Sequence, residues 1–166
     1  MIIYCTRKAE TFIPVLKKAG EIAENYWLAH LIPIGGKKSI IFIERKTQYC
    51  VLIINILKKD LPNIKDIFIK EYISQLHVDD IMVSKTAEQK IVKNCMEMLF
   101  YETNNDQRTL GTLRDMIFHL KNYIADQPDK ADAARIFMNQ SINTILLGAR
   151  KYARGRELMA LEISNL

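Results

Sequence analysis

The chain has 166 residues, 49% hydrophobic and 26% charged, with a net charge of +5. That size and balance fit one globular domain. No apolar run approaches the roughly 20 residues of a membrane helix; the longest candidate, VLIINIL at 51–57, has strand length. The N-terminus places its basic pair, Arg7-Lys8, after the apolar run rather than before it, which argues against a secretory signal. The expectation is a soluble, cytoplasmic protein without a membrane partner.

In chain order, MIIYC (1–5) reads as a short first strand. Thr11 then reads as a helix cap, with Pro14 in the first turn. Phe12, Val15, Leu16, Ala19, Ile22 and Ala23 recur at helical spacing, predicting a helix over 11–24. YWLAHLIPI (26–34), KSIIFIER (38–45) and QYCVLIINI (48–56) are rich in β-branched and aromatic residues. Gly35-Gly36 and Lys46-Thr47 join them, so an antiparallel three-stranded meander over about 26–56 is the economical reading. Pro33 has no ladder donor and belongs at an edge or a strand end.

Ile64, Ile67, Phe68, Tyr72 and Leu76 give one face of a helix over 63–76. A short polar helix from about 86 to 93 and a strand over 95–102 follow. Leu110, Leu113, Ile117, Leu120 and Ile124 then step by 3, 4, 3 and 4 along a helix over 106–126. A further helix covers 129–142. The tail, 149–166, reads as either a last amphipathic helix or a mobile basic arm. The sum is a single α+β domain over 1–166, with a mainly antiparallel sheet packed by helices.

The cysteines, Cys5, Cys50 and Cys95, are odd in number and form no CxxC pair. They read as buried thiols, not as a metal or disulfide framework. Three histidines are too few for a His-rich centre, so neither a metal nor a cofactor is expected. Charge is uneven. Residues 1–60 carry ten Lys/Arg against five Asp/Glu, 61–142 carry ten against twelve, and 143–166 carry four against two. The basic excess lies in the N-terminal third and the tail.

Two groups of residues point to function. Thr103, Asn104, Asn105 and Asp106 are good capping residues at the strand-to-helix junction. Arg108 in the first turn and the free N–H groups together make a competent anion site. Asn104, Arg108, Gly111 and Asp115 are the ligand-binding candidates there. Asp115 and His119, at i and i+4, have the spacing of a carboxylate–imidazole pair, and with His30 they are the catalytic candidates. A polar face opposite an apolar stripe is also what any surface helix shows, and a lone histidine on a sheet is more often structural. The second group is basic. Lys37 and Lys38 follow the Gly35-Gly36 turn, without the spacing of a phosphate loop. Arg150, Lys151, Arg154 and Arg156 interleave with Tyr152 in the tail, the mix expected for nucleic-acid contact.

WLAHLIPIGGKKSIIFIERKTQY (27–49) followed by TNNDQRTLGTLRD (103–115) resembles a bacterial family catalogued only as a domain of unknown function. Its pattern has a first strand ending Cys-Thr (here Cys5-Thr6), Trp-x-Ala-Asn-Leu, a basic turn, and a Thr-x-x-x-Arg-Ser-x-Leu-Gly segment. Trp27, Ala29, Leu31, Thr103, Arg108, Leu110, Gly111 and Asp115 match. His30 stands for the asparagine, and Thr109 and Thr112 for serines. The resemblance implies a shared fold and a shared centre around 103–115, and no activity.

Two expectations follow. The first is a non-enzymatic binding or regulatory module that meets nucleic acid or an acidic protein through its basic turns and tail. The alternative is a small enzyme or ligand-binding domain acting on an anionic substrate at a pocket around 103–119. The lack of a recognisable catalytic constellation tips the sequence reading to the first.

Overall fold

Gly35 and Gly36 sit at φ +56° and +76°, the left-handed pair a two-residue type I′ hairpin turn requires. They join β2 (Trp27–Ile34) to β3 (Lys37–Glu44), which pair antiparallel over their full length. β4 (Cys50–Ile53) pairs antiparallel with β3. It is shorter than the expected 48–56 because Gln48 and Asn55 both adopt positive φ, at 60° and 58°, and turn the backbone out of the sheet. The meander therefore forms as the sequence implies.

The structure is a computed structural model describing residues 1–17, 22–147 and 153–166. Its main sheet has the order β4-β3-β2-β1-β5, with β1 at Ile2–Cys5 and β5 at Leu99–Tyr101. β1 runs parallel to both neighbours, Ile3 opposite Trp27 and Phe100. The sheet is thus mixed, and its longer ladders, β2–β3 and β3–β4, are antiparallel, as expected. β1 is buried along most of its length, and such strands read as short apolar runs whose direction the sequence does not carry. It stops opposite Ala29, so the adjacent flank of β2 has no neighbouring strand at Pro33. That position suits a residue without an N–H.

Helices cover both faces. Over one face, Trp27, Ala29, Phe42 and Val51 pack with α2 (Ile64–Val78), α3 (Lys85–Met96) and α6 (Gly155–Ser164). Phe68 on α2 makes edge contacts with Trp27 and Phe42, at 5.3 and 4.8 Å between ring centroids. Over the other face, Leu28, Ile41, Ile43 and Cys50 meet α4 (Gln107–Ile124) and α5 (Lys130–Gln140). The leucine stripe at 110–124 faces this layer, with Leu113, Ile117, Leu120 and Ile124 buried. A small antiparallel pair, β6 (Leu146–Leu147) and β7 (Ala153–Arg154), precedes α6. Sequence reading did not foresee it. Over Gly155–Ser164 the tail takes its helical alternative.

The helix expected over 11–24 is corrected for 11–17 and 22–24; residues 18–21 lie outside the described residues. Its place is taken by the single turn α1, Arg7–Glu10, started by Thr6, whose side chain accepts from the Ala9 N–H. Pro14 disfavours a helical residue before it and brings no N–H. Leu16 spends its backbone groups on β5 instead, donating to Phe100 O at 2.8 Å and accepting from Glu102 N at 3.1 Å. Likewise α3 runs on to Met96, where a strand from 95 was expected. Ser84 caps it, and Ile91 and Cys95, at i and i+4, extend its buried stripe.

A buried polar network ties the layers together at the β4 edge. Asn143 accepts from Cys50 N at 2.8 Å and donates to Cys50 O at 3.1 Å, so one amide side chain pairs with the strand as a neighbouring backbone would. It also donates to Asp79 Oδ2, which receives Tyr49 OH at 2.5 Å and Gln75 Nε2 at 3.2 Å. All three cysteines are buried, as expected. Burial pushes the Cys5 thiol up to about 12, with Glu10 adding, and Cys95 up to about 11. These are not poised nucleophiles. Among the described residues no helix is long and apolar enough to cross a membrane.

Candidate functional site

The junction after β5 folds as a series of side-chain turns. Thr103 N donates to Glu10 Oε1 at 2.8 Å, Asn105 N to Thr103 Oγ1, and Asp106 N to Asn104 Oδ1. Asp106 then caps α4, accepting from the N–H groups of Arg108 and Thr109 at 3.1 and 3.3 Å. Its other oxygen receives Thr109 Oγ1 at 2.5 Å and Tyr26 OH at 2.6 Å. Burial works against its charge, but the bonds from Thr109, Tyr26 and Arg108 outweigh that and hold the carboxyl below its usual range. Burial, with Asp106 adding, pushes the Tyr26 phenol up to about 12.

The chain's own carboxylate therefore occupies the N–H groups that an external anion at this helix start would use. Arg108 lines an adjoining cleft of about 280 Å³ with Glu24, Asn25, Arg45, Lys46 and Asp106. Two carboxylates offset its three cations. Of the other candidates here, Asn104 is built into the turn, and Gly111 has no atom within 4 Å of where a Cβ would stand. Asp115 and His119 are both exposed, and among the described residues no hydrogen bond or ion pair joins them. The His119 ring lies against Phe118, at 5.8 Å between centroids.

A second cleft, of about 300 Å³, opens where β1 ends, against the opposite flank of the 103–105 turn. His30 lines it from β2, Thr6, Arg7 and Lys8 from the start of α1, Thr103 and Asn105 from the turn, and Leu110, Leu113, Arg114 and Ile117 from α4. Its charged lining residues are all cationic. Thr6 Oγ1 lies 2.9 Å from His30 Nδ1. Burial, together with Lys8 and Lys121, lowers the imidazole from 6.5 to about 4, so the ring is neutral at pH 7. His30 belongs to this cleft, apart from Asp115 and His119. Thr6, Arg7, Lys8 and Arg114 were not among the site candidates expected from the sequence. The available signal was the threonine and basic pair directly after a strand, in CTRK.

A family model described as Domain of unknown function (DUF6933) matches residues 2–158. The chain belongs to this family. No curated protein and no solved structure matches it.

In this family member the described basic candidates do not share one surface. Lys37 and Lys38 are exposed at one end of β3, Lys38 Nζ lying 4.6 Å over the Phe12 ring. Arg154 pairs with Glu157 at 2.7 Å, and the adjacent Gly155 packs against Gln48 beside the other end of β3. Arg156 is half-buried, and Arg150 and Lys151 lie outside the described residues. A third, larger groove of about 460 Å³ lies at the amino ends of β1 and β2, lined among others by Trp27, Glu44, Tyr72, Cys95 and Met159. Among the described residues no group of three or more His, Cys, Asp or Glu side chains gathers to hold a metal ion.

Proposed function

We propose that this domain binds a small anionic molecule in the cleft at the carboxyl end of β1. One observation carries the reading: Arg7, Lys8 and Arg114 line a concave site with Thr6 and His30, and no carboxylate is among its lining residues. A concave site with one sign of charge concentrates ligands of the opposite sign. The carboxyl ends of parallel strands are also where open α/β sheets receive ligands. Here β1 and β5 run parallel, with α1 and α4 following them. The reading is one of binding, with no chemical step assigned. It takes the pocket alternative over a nucleic-acid module, because the Lys37–Lys38 turn lies at the opposite end of β3 from the described tail, and Lys46 at the tail's end is paired with Glu162.

The test is competition for the site. Benzoate should shift the backbone amide signals of Thr6, Lys8 and Arg114 in two-dimensional NMR, while benzamide should not. Arg114→Gln should weaken the effect at least fivefold. Equal shifts from benzamide, or benzoate shifts unaffected by that substitution, would reject the reading.

A further inference from the structure

The polar groups of this cleft are not distributed evenly with depth. Arg7, Lys8 and Arg114 are exposed, whereas Thr6, Leu113 and Ile117 are 7%, 1% and 9% exposed. Charge therefore lies at the mouth, and the inner wall is aliphatic, formed by Leu110, Leu113 and Ile117 along one side of α4. A bare hydrated anion held at the mouth would leave the half-buried Leu110 side chain uncovered. Pushed inward, it would lose water against side chains that return no hydrogen bond. An apolar body covers the same wall favourably.

One polar group interrupts the wall. His30 Nδ1 is engaged with Thr6 Oγ1. The Thr6 oxygen also accepts from Ala9 N, and either partner can supply the proton of the Thr6–His30 bond. Among the described residues Nε2 has no hydrogen-bond partner, in a side chain that is half-buried and lines the cleft.

Resting on the anionic reading above, we infer that the ligand is an amphipathic organic anion. Its apolar body lies against Leu110, which Leu113 and Ile117 back, its charged head sits among Arg7, Lys8 and Arg114, and a polar group between the two meets His30 Nε2. The class is an aliphatic or aromatic acid, as opposed to inorganic phosphate or a polyanion.

The experiment titrates the full chain with octanoate, acetate and octylammonium, following backbone amides by NMR. Octanoate should shift Thr6, Leu110, Leu113 and Ile117 saturably, acetate should need at least tenfold higher concentration, and octylammonium should leave these signals in place. Leu110→Ser should weaken octanoate at least fivefold and leave acetate unchanged. Arg114→Gln, an exposed position, weakens both acids and serves if Leu110→Ser fails to fold. Acetate binding as tightly as octanoate overturns the apolar body and leaves the anionic reading standing. Octylammonium matching octanoate overturns both. So does octanoate shifting only the groove beside Trp27 and Met159, or shifting nothing.

Discussion

The Tyr26 hydroxyl donates to Asp106 Oδ2 at 2.6 Å, and this bond fastens the start of α4 to the start of β2, 80 positions away in the chain. The same carboxylate caps the helix. Asp106→Ala should cost about 2–3 kcal/mol, for a lost cap and a stranded phenol. Tyr26→Phe should cost about 1 kcal/mol, and Asp106→Asn should keep most of the cap. Urea unfolding of both single variants and the double variant measures the coupling. A coupling energy of zero would mean that the contact adds nothing.

Two glycines make opposite predictions. Gly111 lies inside α4 with open space where a Cβ would go, so Gly111→Ala should stabilise by about 0.5–1 kcal/mol. A Cβ on Gly155 would stand 3.2 Å from Gln48 O, a backbone atom, so Gly155→Ala should destabilise by about 1–3 kcal/mol. Thermal midpoints at one pH decide both, and the same sign for the two would contradict the packing described.

The half-buried His30 gives the protein an acid-sensitive component. Its imidazole is lowered to about 4 from 6.5 by burial and by Lys8 and Lys121, and Arg7 and Arg114 share its cleft. The unfolded chain therefore binds the extra proton first, and stability falls as pH drops from about 6.5 to about 4. With solvent reaching the ring, the loss attributable to His30 should be about 1–2 kcal/mol. His30→Gln should flatten the unfolding free energy between pH 7 and 4.5 by that amount. An unchanged slope would place the sensitivity elsewhere.

Asn143 replaces a missing strand at the β4 edge. Asn143→Ala leaves the Cys50 N–H and C=O without their side-chain partner and takes one donor from Asp79 Oδ2, in a buried site. The expected loss is about 2–4 kcal/mol, read from denaturant midpoints, with Asn143→Asp failing to restore it. A loss under about 1 kcal/mol would show that water replaces the side chain.

Much of the scaffold was legible because its causes are local. Gly35-Gly36 fixes a hairpin by backbone geometry, and the 110–124 stripe fixes a helix face by periodicity. Where partners are distant, legibility ended. The spacing of Phe12, Val15 and Leu16 suggested a helix, yet Pro14 and the backbone of Phe100 decide that segment. The junction at 103–108 was visible as a cap and also suggested an anion site; Asp106 takes the N–H groups, and the cationic cleft lies on the other flank. Thr6 meets His30 only because β1 and β2 are parallel neighbours, a pairing that no alternation of residue types announces.

That parallel strand also constrains how the protein is made. Within this domain β1 comes ahead of the other described elements, yet Ile2 pairs with Leu99, so its outer neighbour is delivered only after β2 to β4, α2 and α3 have been translated. The β2–β3–β4 meander closes through short turns and can assemble early. Sheet completion through β1 and β5 must wait, since distant pairings carry the larger loop-closure entropy and form more slowly. During that interval one flank of a buried, apolar strand stands open, the exposure that draws chaperones to nascent chains.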